Sequence, residues 1–152
     1  MSGEKGGLVL ELSISTPTRE ALVDITALVE EAVVAAIPQE KGEVFRGLVH
    51  IYVPHTTAAV TVNEGADPAV ARDITDTFAR LVPYDGGYRH REGNADAHVK
   101  ATLVGSHTAV PLEGGHLKLG TWQSVYFAEF DGPRRRRIWL DLVASALDER
   151  TA

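Results

Sequence analysis

The stretch VFRGLVHIYVPHTTAAVTVNEGADP, residues 44–68, decides the fold. Val44 to Val53 and Ala58 to Val62 are rich in β-branched and aromatic residues, which fit a pleated, half-buried surface. Only the corner Pro54-His55-Thr56-Thr57 separates them, so two strands are expected, with His55 at a strand end or tight turn. The stretch closes on Asp67-Pro68, a helix cap followed by proline at the first helical position, where a missing N–H costs nothing. Val70, Ile74, Phe78 and Leu81 then mark one face of a helix, and Asn63, Glu64 and Gly65 read as the connection into it.

Toward the N-terminus, Leu8, Leu10, Leu12 and Ile14 alternate with Val9, Glu11 and Ser13, the period of a strand with one buried face, until Pro17 breaks it. Leu22, Ile25, Val29, Val33 and Ala36 recur at helical spacing, which predicts a helix over Arg19 to Ile37, with Thr18 as its N-cap and Pro38 beyond its end. Residues 1–7 are polar and glycine-rich and read as a flexible lead-in to a domain spanning 8–148.

Toward the C-terminus, Pro83 to Asn94 has no periodicity and reads as a loop long enough to be functional, carrying Tyr88, His90 and Glu92. A short helix over Asp96 to Val104 follows. Strands are then expected near Thr108 to Leu112, His116 to Leu119, Ser124 to Phe130 and Ile138 to Val143, with Gly114-Gly115 and Asp131-Gly132-Pro133 as turns. The sum is an α+β fold, a single compact domain with a mixed, mostly antiparallel β-sheet and two or three packed helices.

Composition narrows the chemistry. The 152 residues contain no cysteine, which removes disulfides, thiolate nucleophiles and cysteine-held metals. The net charge of -6 opposes the broad positive field of a nonspecific nucleic-acid binder, and no nucleic-acid partner is expected. With no apolar run of membrane-spanning length and no signal-peptide pattern, the chain reads as cytoplasmic, with no membrane partner. P-loop, G-x-G-x-x-G, G-x-S-x-G and H-E-x-x-H motifs are all absent from the sequence.

His55, His90 and His98 lie near loops or element ends. Three neutral imidazoles with an open fourth position would suit zinc or a related metal, although a lone histidine is more often a surface or hydrogen-bonded core residue. Glu64 and Asp67 flank a strand-to-helix junction, where a carboxylate can orient a histidine, accept a proton or hold Mg²⁺ through water; Asp67 also has the plain role of a helix cap. Asn94 and Asp96 are candidates for capping the following helix while His98 faces a pocket. Lys100 pairs with Asp96 at i,i+4 spacing and reads as structural unless buried.

Gly120-Thr121-Trp122-Gln123 offers close backbone approach, two hydrogen-bonding side chains and an aromatic that can stack on a planar ring or pack at a sheet corner. In the run Arg134 to Arg137, strand alternation puts Arg134 and Arg136 on one face, able to hold phosphate, or leaves a solvated or intersubunit ion-pair edge.

Four blocks in order, His55-Thr56-Thr57, Asn63 to Pro68, Glu92 to His98, and Gly120 to Gln123, resemble the signature blocks of the YjbQ-like family, over about residues 8 to 145. The resemblance implies a compact α+β fold, usually homotrimeric, with a polar pocket built around these blocks, and a secondary thiamine-phosphate synthase activity in some members. It implies site membership for His55, Thr56, Asn63, Glu64, Asp67, Asn94, Asp96, His98, Thr121, Trp122 and Gln123. The expected ligand is a small phosphorylated or anionic metabolite, with Mg²⁺ or Zn²⁺ as the divalent cation. Two other readings stand beside it: metal-assisted hydrolysis with His55, His90 and His98 on the metal and Glu64 activating water, and a non-enzymatic metabolite-binding protein.

Overall fold

The computed structural model describes residues 8–37 and 43–148. The expected flexible segment 1–7 and the helix-terminating Pro38 lie outside the described residues. The elements run β1 (Leu8–Ser15), β2 (Ala21–Asp24), α1 (Thr26–Ala36), β3 (Glu43–Tyr52), β4 (Ala58–Glu64), α2 (Pro68–Leu81), α3 (Ala95–Val104), β5 (His107–Glu113), β6 (His116–Leu117), β7 (Gln123–Glu129) and β8 (Arg135–Asp148).

The strands form two sheets, one of five strands in the order β1-β8-β3-β5-β6 and one of three in the order β2-β7-β4. Every pairing among the described residues is antiparallel. The α+β expectation holds, with three helices among the described residues, while the strands divide between two sheets rather than sharing one.

The main core lies between the sheets. Val49, Ile51, Ile138 and Leu140 from the larger sheet meet Val60, Val125 and Phe127 from the smaller, with Val29 and Val33 of α1 closing the layer. Each such side chain contributes about 1.5–3 kcal/mol when fully buried. Odd and even positions of β4 and β7 serve different layers, as a period of two dictates. Ala59 and Ala128 therefore face the other way, into a second cluster with Ala97, Ala101 and Phe130, where α3 covers the smaller sheet and Phe78 of α2 packs at the margin.

The far face of the five-stranded sheet has no such cover among the described residues. Val9, Leu48 and Val143 are exposed there, beside the half-exposed Tyr52 and Trp139. No helix among the described residues is long and apolar enough to cross a membrane.

Two local expectations are corrected. Ala21–Asp24 is not helical but pairs with Tyr126–Glu129 as the edge strand of the smaller sheet. Leu22 fitted the helical spacing, yet a long-range ladder overrides a weak local propensity. The helix starts at Thr26, where the Asp24 carboxylate accepts from the Thr26 N–H at 2.9 Å and its hydroxyl at 2.6 Å, so Thr18 has no capping role. Asn63 and Glu64 belong to β4, paired with Ser124 and Gln123, rather than to the connection into α2.

Candidate ligand cleft

The corner between β3 and β4 opens onto a cleft of about 780 Å³, whose walls include His55, Thr56, His98, Ser106, Tyr52 and Trp139. The Pro54-His55 corner follows the end of β3 and turns His55 back over β8. There its Nε2 accepts the backbone N–H of Arg137 at 2.9 Å. An imidazole nitrogen that accepts this bond carries no proton, so neutral His55 must bear its hydrogen on Nδ1. Burial, followed by the positive charges of Arg136 and Arg137, lowers the His55 pKa and favours that neutral form. His55 thus presents a fixed N–H donor.

Two buried ionic networks anchor the surrounding backbone. Arg136, 3% exposed, donates from Nε to Glu129 Oε2 at 2.8 Å, and from Nη2 to Glu129 Oε1 at 2.5 Å and the Thr57 hydroxyl at 2.8 Å. Glu129 also accepts from the Thr16 hydroxyl at 2.9 Å and the Asp131 N–H at 2.9 Å. Burial alone would raise the Glu129 pKa; the bonds from Arg136, Asp131 and Thr16 outweigh it, and the net shift is downward. The expected phosphate grip by Arg134 and Arg136 is therefore corrected. Arg136 is spent inside the fold, while Arg134 is exposed and tied to Asp131 at 3.2 Å.

The second network explains Asp96. Arg19 grips its carboxylate with two bonds, at 3.1 and 2.9 Å, and Lys100 adds a third at 3.0 Å while also reaching Glu20. Asp96 and Lys100 are both buried, so the i,i+4 pair is a core ion cluster and not a surface pair. Burial opposes the charge on Asp96, but Arg19 and Lys100 pull its pKa below the ordinary carboxylate range. With its oxygens so engaged, Asp96 positions α3, and with it His98, rather than contacting a ligand. Asn94 donates to Asp131 at 3.0 Å, and its own Oδ1 is buried with no partner.

The other sequence blocks lie elsewhere. Since β4 rises about 3.3 Å per residue, Glu64 sits roughly 20 Å along the strand from Ala58 and the His55 corner. At that far end the Asn63 side chain accepts its neighbour's N–H at 2.8 Å, and Asp67 caps α2 by accepting the Ala69 N–H at 2.9 Å. The Gln123 side chain closes the Gly120-Thr121-Trp122 turn by accepting the Gly120 N–H at 2.8 Å, and the Gly65 N–H donates to the Trp122 carbonyl at 2.8 Å. Thr121 is exposed on this turn, and Trp122 is 64% exposed. One chain therefore splits the expected pocket residues between two ends of the smaller sheet.

The three histidines also divide. His90 and His98 touch edge to face, with ring centroids 5.2 Å apart, and His90 lies 3.6 Å from Glu92. His55 shares the cleft with His98, but no group of three or more His, Asp or Glu side chains among the described residues is placed to hold a metal. The donor chemistry agrees, since His55 has one nitrogen occupied and the other protonated.

Sequence reading missed Tyr52 and Trp139. They are cross-strand partners on β3 and β8, stacked with centroids 5.7 Å apart at 16°, and Trp139 donates to Glu11 at 2.8 Å. Each sits in the outward register of its strand, so alternation marks both as exposed aromatics; only the pairing of the strands puts them together beside the cleft.

Comparison with known proteins matches this architecture. A family model described as UPF0047 protein YjbQ-like matches residues 10–145. The chain is 44% identical over 136 residues to a UPF0047 protein of Methanocaldococcus jannaschii, covering 90% of this chain and 94% of that one. It is 44% identical over 133 residues to the UPF0047 protein YugU of Bacillus subtilis, covering 87% and 96%. A crystal structure of an uncharacterized YjbQ/UPF0047 family protein from Clostridium acetobutylicum superimposes with a TM-score of 0.79 at 43% identity, over 88% of this chain and 99% of that one. A hypothetical protein from Aeropyrum pernix superimposes with a TM-score of 0.80 at 38% identity, over 90% and 98%. With its two sheets, its corner histidine and this extent of likeness, the chain belongs to the YjbQ-like UPF0047 family.

Proposed function

We propose that the His55 cleft binds a small phosphorylated or otherwise anionic metabolite, and that the protein is a homotrimeric enzyme with a secondary thiamine-phosphate synthase-like activity. The observation that carries the binding reading is the His55 tautomer. With Nε2 held by the Arg137 N–H, Nδ1–H is a donor fixed before any ligand arrives. The hydroxyls of Thr56 and Ser106 line the same cleft and supply further donors.

His98, which lines the same cleft and is half-buried, has the residue type for proton transfer at the reacting group. The His55 ring, neutral and already oriented, would bind charge developing on an oxygen rather than accept a proton.

Calorimetric titration with pyrophosphate and with thiamine phosphate tests binding, and pyrophosphate release from the thiamine-phosphate-forming reaction, with and without Mg²⁺, tests turnover. His98→Gln should bind the ligand and lose turnover. Binding without turnover in the wild type would assign a metabolite-binding protein instead, and absence of both would overturn the reading.

Assembly is supported by the exposed apolar side chains Leu48 and Val143, cross-strand partners on the outer face of the five-stranded sheet, toward the opposite end of β3 from Tyr52 and His107. Light scattering should give about three times the 16.4 kDa chain mass; a monomeric mass at micromolar concentration would overturn the trimer.

A further inference from the structure

We infer that His50 and His107, on the outer face of the five-stranded sheet beside Tyr52 and not among the residues that line the His55 cleft, form a two-imidazole site for a borderline divalent transition-metal ion such as Ni²⁺ or Zn²⁺. In the β3–β5 ladder Tyr52 pairs with His107 and His50 with Ala109, so the two histidines are diagonal neighbours on one sheet face. Their rings lie 5.1 Å apart at 59°, with His50 Nε2 3.1 Å from His107 Nδ1.

That separation is the bite of a chelate. Two metal–nitrogen bonds of about 2.05 Å spanning it enclose an angle of about 98°, between the octahedral and tetrahedral values. Rotation of the rings, by about 40° from the line of their hydrogen bond, turns both lone pairs toward a common point. Asp141, opposite His50 in the β3–β8 ladder and on the same face, adds negative charge that favours a cation.

Without metal the two nitrogens share one proton in their hydrogen bond. On binding, that proton moves to the far nitrogen of the ring that held it, so both imidazoles stay neutral and each offers a lone pair. No third protein ligand is in place among the described residues, and water completes the coordination. Soft, cysteine-type ions are disfavoured, and Mg²⁺, which prefers oxygen, should not compete.

The test is calorimetric titration of untagged protein with NiCl₂, with MgCl₂ as the control, on wild type, His50→Gln, His107→Gln and His90→Gln. The expected result is about one Ni²⁺ per wild-type chain, no Mg²⁺ binding at this site, and affinity at least about tenfold weaker in either His50→Gln or His107→Gln. His90→Gln should bind as the wild type does. In the wild type, Ni²⁺ should broaden the ring-proton signals of His50 and His107 first, a readout independent of how the variants fold. No wild-type binding, binding that survives both substitutions, or broadening confined to other histidines would overturn the site.

Discussion

Arg136 and Glu129 form a two-bonded ion pair at 2.8 and 2.5 Å inside the fold, with both side chains removed from solvent. The pair links β7 to β8 and, through the Thr57 hydroxyl, to the corner that presents His55. Buried charges that lose a partner are costly, whereas replacing the whole pair with apolar side chains is far less so.

Glu129→Leu and Arg136→Met alone should therefore each destabilise the protein by about 3–5 kcal/mol, while the double variant should recover most of that loss. Urea denaturation with a double-mutant cycle measures it. If the double variant is as unstable as the sum of the singles, the loss lies in packing and not in an orphaned charge.

Glu129 and Asp96 also set the acid limb of stability. Both carboxylates have folded-state pKa values below their ordinary ones, so the unfolded chain binds protons more readily and stability rises with pH across that interval. Their contribution is complete above the unfolded carboxylate value and is lost as pH falls through the folded values. Glu129→Gln should flatten the slope of unfolding free energy between about pH 5 and pH 3 relative to wild type. An unchanged slope would assign acid sensitivity to other carboxylates.

His55 acts in a higher window. Its pKa is lowered, chiefly by burial, so the folded state favours the neutral ring and the associated stability is present above the unfolded value near 6.5. That stability declines as pH falls through the folded value. The same protonation makes Nε2 a donor and breaks its bond from Arg137. Ligand affinity should change with an apparent pKa below 6.5, and His55→Asn should abolish that change; calorimetry from pH 5 to 8 reads both. A wild-type transition above 6.5 would contradict the assigned tautomer.

What could be read from sequence was what is local. Asp67-Pro68 capped α2 as expected because capping needs only neighbouring residues, and the His55 corner followed from two adjoining β-rich runs. Ala21–Asp24 escaped because its strand exists only through pairing with β7, more than 100 residues away. Arg136 looked like a phosphate ligand because alternation gives the face a side chain takes but not what waits there, and Glu129 waits there. Trp122 lies at the opposite end of β4 from the cleft, whereas Tyr52 and Trp139 meet beside it through the β3–β8 register.

The close approach of Gly65 to Ser124 provides a sharp test of the β4–β7 end. A Cβ on Gly65 would lie 1.8 Å from the Ser124 hydroxyl oxygen and 2.6 Å from its Cβ. Overpacking of this kind costs about 1–3 kcal/mol, so Gly65→Ala should lower stability by that order. Ser124→Gly removes both atoms in the way and should restore most of the loss in the double variant, although it adds its own backbone-entropy cost of about 0.5–1 kcal/mol. Ser124→Ala leaves the Cβ clash and should rescue little. Thermal denaturation of the single and double variants decides it: equal rescue by Ala and Gly at position 124 would mean that the hydroxyl alone sets the contact, and no rescue would mean that disturbance of the Gly65 N–H bond to the Trp122 carbonyl, and not the Ser124 contact, sets the loss.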